Sequence, residues 1–433
     1  MSVIDKTLPE CDTAVRADVL HFFDDPDLSE NAWQLVEDGL LLLNEGRVAG
    51  LLEYQTLPDD IEVIDYSGKL LMPGFIDTHC HYPQTEMIAS YGAQLLDWLE
   101  KYTFPTEAKF SDAEHASAIA NFFCEELLRN GTTTAGVFAT IHPESVDAIF
   151  RAAQKRDMRL ISGKVMMDRN APDFICDTAE SSYQQSAELI KRWHQKGRAL
   201  YAVTPRFAPT SSEAQLEVAG QLLKEFPDLY LQSHVAENHD EVAWVKKLFP
   251  ERRSYLDVYD HYGLLGPRSV YAHCLHLDIA DRERMAQSGA AMAFCPTSNL
   301  FLGSGLFDLN EADKHGVRVG VATDVGGGTS FSMLQTLNEA YKVSQMAGQT
   351  LSPLKAFYLA TLGGAKSLYL DQTIGNFEVG KEADFVVLDL DATPIMQRRM
   401  ARSESIVDSL FALMILGDDR SVHATHVMGK RLI

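Results

Sequence analysis

The strongest constraint on this chain is an alternation: eight short apolar runs, separated by stretches with helical spacing. The runs lie at residues 74–79 (GFIDTH), 132–139 (TTTAGVFA), 159–167 (RLISGKVMM), 200–207 (LYAVTPRF), 229–235 (LYLQSHV), 270–273 (VYAH), 290–295 (AAMAFC) and 318–324 (RVGVATD). Near-continuous apolar strands belong to parallel sheets that are covered on both faces. The first helical stretch, 111–129, opens on a capping box, Ser111 three residues before Glu114. Its spacing puts Ile119, Phe122, Phe123 and Leu127 on one face, and Asn130-Gly131 closes it. Stretches 180–195, 212–225, 238–248 and 278–287 repeat the pattern. Eight strands alternating with helices predict an α/β fold, a (β/α)8 TIM barrel. An open doubly wound sheet is the alternative; no G-x-G-x-x-G follows any strand, which counts against its dinucleotide-binding form.

The two ends do not fit the barrel. Residues 1–70 and 376–433 carry short strand-like pieces broken by turns, such as EDGLLLLNEGRVAGLLEY, ADFVVLDLDATP and HATHVMGKRLI. The economical arrangement is one small β-sandwich domain made from both termini, with the barrel (71–375) inserted between them. The start, MSVIDKTLPECDTA, has neither a basic region nor an apolar stretch, so it does not read as a secretory signal. With six scattered cysteines and no C-x-x-C, the chain reads as a reduced, cytoplasmic protein. A formal charge of −23 argues against nucleic acid or an anionic membrane as partner, and no run approaches the ~18 apolar residues of a membrane span.

The chemistry gathers at one end of the strands. The first run ends in His79-Cys80-His81; alternation on a strand aims both imidazoles at one point and turns Cys80 away. An H-x-H pair alone is a weak signal. The fifth run, however, ends at His234 with Glu237 three residues on, the sixth at His273 (followed by Cys274), and the eighth at Asp324. Histidines that merely pack would fall anywhere along their strands, whereas barrels keep active sites at the C-terminal ends. Gly326-Gly327-Gly328 lacks the lysine of a phosphate loop and reads as a tight backbone turn. His239, His276 and His315 read as exposed helix or loop residues, and QLLDWLEKYTFPTE (94–107) as a pocket rim or lid. The H-x-E sequences at His142-Pro143-Glu144 and His239-Asp240-Glu241 have no accompanying P-C-x-x-C, which excludes a cytidine-deaminase type of zinc site.

The segments PGFIDTHCH, SHVAEN, YAHC and ATD resemble the amidohydrolase superfamily of metal-dependent hydrolases. HCHYPQTEM, FPTE, RNGTTTA, GKVMMDRNAP, TPRFAPTSS and FCPTSNLFLGSG are similar to its guanine-deaminase branch, and the similarity extends to NFEVGKEADFVVLD near the C-terminus. The resemblance implies one Zn2+ per subunit on His79, His81, His234 and Asp324, with a bound water whose pKa is drawn toward ~7. A single metal is implied because the fourth run contains no lysine; Lys164, on the third, is the only candidate bridge and lies on the wrong strand. The resemblance further implies Glu237 as proton shuttle, Asp324 as orienter of the water, and His273 as hydrogen-bond donor to the oxyanion, or as a further metal ligand. Gln84, Arg206 and Phe207 would read the purine, with His81, His234 and Glu237 also against it. The expected reaction is guanine plus water to xanthine plus ammonia, by a homodimer. A related ring (8-oxoguanine, a pterin, a chlorotriazine) is the alternative substrate, and a non-catalytic barrel scaffold the alternative class.

Overall fold

The computed structural model describes residues 8–92 and 94–433. The first seven residues of the N-terminal segment read as carrying no secretory signal therefore lie outside the described residues. The chain opens with four strands, β1 (Thr13–Phe22), β2 (Trp33–Asn44), β3 (Arg47–Glu53) and β4 (Glu62–Pro73). The barrel strands follow: β5 (Phe75–His81), β6 (Thr132–Phe138), β7 (Arg159–Gly163), β8 (Val165–Met166), β9 (Ala199–Pro205), β10 (Tyr230–Val235), β11 (Ser269–His273), β12 (Ala291–Phe294) and β13 (Arg318–Val321). Last come β14 (Phe385–Leu388), β15 (Val422–Val427) and β16 (Lys430–Arg431).

All eight predicted runs form parallel strands in the order β5-β6-β7-β9-β10-β11-β12-β13, and β8 pairs with β9. The third run, read as one strand, is interrupted at Lys164. There Gly163 is pressed against β9: a Cβ on it would lie 1.8 Å from the Ala202 carbonyl. Beyond the ladders, Asp324 N donates to His79 O (3.0 Å) and His81 N to Val325 O (2.5 Å), joining the end of β5 to the segment after β13. Asp77 reinforces that seam. Its carboxylate accepts from the backbone N–H of His79 (3.2 Å) and of Thr323 (3.0 Å) and from the Thr323 hydroxyl. The first and last strands of the barrel are thus locked together beside the residues of interest.

The predicted helices form with shifted starts. The first covers Ala113–Arg129 and is capped by Asp112, whose carboxylate accepts from the N–H groups of Glu114 and His115; the expected Ser111–Glu114 capping box is absent. Asp lies one residue closer to the helix than Ser111 and reaches two orphan donors at once. The buried stripe runs Ala116, Ala120, Phe123 and Leu127, and Phe122, expected inside, is 50% exposed because it falls off that stripe.

Both chain ends contribute to a second sheet, in the order β16-β15-β14-β4-β1-β2-β3. Its β1–β4 pair is parallel and its other ladders antiparallel. A continuous hydrogen-bond path joins all seven strands, so what the sequence suggests as a sandwich is a single mixed sheet. Val15, Val19, Leu41, Leu71, Phe385 and Val387 form its own apolar core. Glu382, just before β14, ties this sheet to the barrel by pairing with Arg159 (2.6 Å) and Arg198 (2.7 Å). Among the described residues no helix is long and apolar enough to cross a membrane.

Candidate active site

The C-terminal ends of β5, β10 and β11 and the segment after β13 surround one cavity of about 420 Å³. His81, His234, Glu237, His273 and Asp324 face it, as do Gln84, Arg206 and Phe207. His79 stands behind this wall, buried beside His81 and Asp324. Every residue singled out in the sequence for chemistry is therefore gathered at one place.

Three imidazoles converge by the same atom. His81 Nε2 lies 3.2 Å from His79 Nε2 and 3.1 Å from His234 Nε2. Asp324 Oδ1 is 3.2 Å from His79 Nε2 and 3.5 Å from His81 Nε2. His234 Nδ1 sits 2.6 Å from the Arg206 carbonyl, which can only accept, so Nδ1 carries the proton and Nε2 presents its lone pair inward. Burial pushes all three histidines below the ordinary histidine range, and for His81 and His234 the neighbouring imidazoles push further. His81 Nε2 faces two other ring nitrogens and can carry at most one proton, so it cannot satisfy both, and among the described residues His81 Nδ1 has no partner either. Three inward nitrogens and a carboxylate oxygen at this spacing fit a cation, and a borderline one such as zinc suits that donor set. The groups His79–His81–His234 and His79–His273–Asp324 are each close enough to share an ion. Behind them the Phe138 ring, 4.7–5.0 Å from the three imidazole centroids, keeps that side dry.

Opposite lies a carboxyl group with different surroundings. Glu237 Oε2 is 3.3 Å from His273 Nε2, and the Ser304 hydroxyl donates to Oε1 (3.1 Å). Burial is the main cause that raises Glu237 from 4.5 to about 7, the range in which a carboxyl group can both take and give a proton at neutral pH. Burial pushes His273 down, but the Glu237 and Asp324 carboxylates outweigh it and hold the ring above its ordinary range. Its Nδ1 is anchored to Asn299 Oδ1 at 2.9 Å. Burial likewise pushes Asp324 up, and the hydrogen bond and charge of His79 overcome this, holding it below the usual carboxylate range. His273 (φ 72°) and Asp324 (φ 50°) both occupy left-handed backbone, a conformation that costs about 1–3 kcal/mol each for such residues and recurs where strands deliver groups to a site.

The remaining wall is largely apolar, with two polar side chains set into it. Leu95, Trp98, Leu99 and Leu302 supply apolar surface, and the first three belong to the segment 94–107 read as rim or lid. Gln84, on the short helix Tyr82–Met87, and Arg206, just after β9, both reach Glu107: Gln84 Nε2 donates to Oε1 (2.9 Å) and Arg206 Nη1 to Oε2 (2.7 Å). The Gly326 turn passes close to Gln84, whose carbonyl would meet a Cβ there at 2.6 Å, in keeping with the tight turn expected of the three glycines.

Four polar residues around the site escape sequence reasoning: Glu107, Asn299, Ser304 and Glu241, which accepts from the N–H groups of Glu237 and Asn238. Glu107, Asn299 and Ser304 sit in segments without periodicity that aims them, although FPTE and FCPTSNLFLGSG contain them; Glu241 lies in the helical stretch 238–248, where nothing local shows that it holds the Glu237 and Asn238 N–H groups. Two expectations need correction. His276 is half-buried, stacked on His239 with centroids 3.8 Å apart and bonded to Ser304 O; His315 is half-buried beside Glu311. Lys164 is buried against Asp177 and bridges nothing in the cavity. Cys80 and Cys274 are buried and point to the carbonyls of Gly136 and Tyr271, away from the imidazoles.

Comparison with known proteins adds independent findings. The pattern that defines the Amidohydrolase family matches residues 70–432. The guanine deaminase of Escherichia coli (strain K12) is 57% identical over 417 residues, 95% of each chain. The guanine deaminase of Homo sapiens is 37% identical over 389 residues, 84% of this chain and 83% of that one. The solved structure of a guanine deaminase from C. acetobutylicum with bound guanine in its active site superposes with a TM-score of 0.87 at 28% identity, covering 97% of this chain and all 100% of that one.

Proposed function

The chain belongs to the amidohydrolase family, with guanine deaminases as its relatives, and from that premise we propose that it hydrolyses guanine to xanthine and ammonia. The observation that carries this reading is one cavity that gathers a cluster of imidazoles able to hold a cation, the buried carboxyl group of Glu237 and the polar side chains of Gln84 and Arg206.

His79, His81, His234 and Asp324 would hold one zinc ion per subunit. Bound there, zinc would supply a Lewis acid that makes a water acidic enough to lose its proton near neutral pH. The chain's own groups account for the rest. Glu237 takes the proton from the attacking water and hands it to the ring nitrogen beside C2 of guanine. The same carboxyl group then takes the second proton from the new hydroxyl on C2 and, as the C2–N bond breaks and the C2 carbonyl forms, gives it to the departing amine, which leaves as ammonia. Both transfers need a group that exchanges protons near pH 7, and burial puts Glu237 there. His273, beside the Glu237 and Asp324 carboxylates, donates to the oxygen that becomes negative at the tetrahedral stage. Asp324 accepts from the water and fixes its direction. Gln84 and Arg206 hydrogen-bond the purine, Phe207 offers it a face, and His81 and His234 bound it on the metal side.

Two organisational readings accompany this one. Residues 1–70 and 376–433 form one β unit around the barrel of 71–375, and the enzyme is a cytoplasmic homodimer, a location that suits its six free cysteines.

The test is turnover of guanine by wild-type protein and by Arg206→Ala. Wild type forms xanthine; the variant keeps its metal and loses about 100-fold of kcat/KM, since a charged hydrogen-bond partner is removed and Glu107 is left buried without its ionic partner. Metal content by plasma emission accompanies both assays. Bound metal falling in step with activity would remove Arg206 from the substrate wall.

A further inference from the structure

We propose that Glu107 is a positioning residue for purine selectivity, a buried carboxylate that fixes the hydrogen-bonding polarity of Gln84 and Arg206 before a base arrives. The inference rests on the substrate reading above and adds a residue that touches the reader groups rather than the reacting atoms.

Glu107 is fully buried, and its two oxygens are divided between the two readers: Oε1 takes the Gln84 amide N–H at 2.9 Å, Oε2 the Arg206 guanidinium at 2.7 Å. Gln84 is pinned from its other end, where Gly326 N donates to Oε1 at 3.3 Å. An amide has a donor end and an acceptor end of nearly equal size, so only its partners decide which faces where. A carboxylate can only accept. Turning Gln84 over would set its carbonyl against Glu107 and its N–H₂ against the Gly326 N–H, losing both bonds. The amide therefore has one orientation. That matters for purines, because guanine shows a carbonyl and a ring N–H where adenine shows an amino group and a bare ring nitrogen. A pocket whose amide could flip would suit both patterns; a locked one suits one and leaves buried groups unpaired with the other.

The charge argument runs the same way. Arg206 adjoins the imidazole cluster: its carbonyl lies 2.6 Å from His234 Nδ1. A bare guanidinium would oppose a cation held by those histidines and would bind anions in preference to a neutral base. Paired with Glu107, and with the Phe104 ring 5.7 Å from its guanidinium carbon, Arg206 offers directed N–H groups with its charge offset. Phe104 and Glu107 belong to the same short helix, Phe104–Glu107, directly after the segment whose Leu95, Trp98 and Leu99 wall the cavity. The segment that covers the substrate thus also sets how the substrate is read.

The experiment compares wild type, Glu107→Gln and Glu107→Asp, all zinc-loaded, by kcat and KM for guanine, the inhibition constant of adenine, metal content and melting temperature. Glutamine at 107 has one acceptor and two donors, so it cannot serve both readers and no longer forbids the flipped amide. The expected result for Glu107→Gln is a KM raised about 10-fold or more with a smaller change in kcat, adenine binding as well as or better than before, and one metal per chain. Aspartate keeps the charge but not the reach, and its KM falls between the other two. If Glu107→Gln does not fold, the raised KM of Glu107→Asp carries the test. An unchanged KM and an unchanged ratio of adenine inhibition constant to KM in the folded variants would overturn the proposal, as would a loss of metal that accounts for the whole effect. Wild-type protein that ignores guanine would overturn the substrate reading instead; the same ratio would then be read on the ring it does turn over.

Discussion

Glu237→Gln retains one metal per chain and loses about 10³-fold of kcat on guanine, within the range that a positioned general acid–base contributes. The expectation follows from what surrounds the group. Glu237 is buried, is held at one oxygen by Ser304 and at the other by His273, and lies across the cavity from the three converging imidazoles. Glutamine is nearly isosteric and can keep a hydrogen bond to each neighbour, so the cavity and the metal cluster are preserved. What it cannot do is take up and release a proton, first from the water and then from the hydroxyl on C2, in one turnover. The loss should therefore fall on kcat, with KM for guanine changed far less. Parallel steady-state kinetics and metal analysis check this. A variant with wild-type kcat would place the proton transfer elsewhere, and a variant emptied of metal would make Glu237 a ligand.

Removing the metal should have a still larger effect. After exhaustive chelation the protein shows no measurable deamination, and one equivalent of zinc restores it. The physical ground is the crowding of His79, His81 and His234 nitrogens at 3.1–3.2 Å, where burial disfavours the protonated form of each. With a cation the three nitrogens share one positive partner; without it a single N–H cannot satisfy the group. Stripped protein should also melt at a lower temperature and recover on refilling, because a ligand that binds only the folded state stabilises it by mass action. The checks are activity and melting temperature against metal content through a titration. Full turnover with less than about a tenth of an equivalent bound would contradict the assignment.

The sequence discloses the barrel because its strands are buried on both faces and so read as continuous apolar runs. It discloses the histidine cluster because strands end in step: His79, His81, His234 and His273 all sit at the same end of their runs. Where those conditions fail, the reading fails. The break at Lys164 depends on the approach of β9 to Gly163, a contact no local pattern encodes. The segment 94–107 mixes α- and π-helical turns around Leu95–Glu107, and its role beside the cavity cannot be read from spacing. Glu107 is the clearest omission: it stands 23 residues from Gln84 and 99 from Arg206, and only the fold brings the three together. A buried glutamate in a motif with no partner nearby in sequence is the one signal that could have flagged it.

The most direct test of the central claim is ammonia release by zinc-loaded protein from guanine, with adenine, cytosine, 8-oxoguanine and pterin in parallel. Fast release from guanine, accompanied by equimolar xanthine and by little or no release from the other rings, is the predicted result. Silence on guanine while another ring is turned over would contradict the assignment of Gln84, Arg206 and Phe207 as guanine readers, and silence on every ring with zinc bound would contradict the enzymatic reading itself.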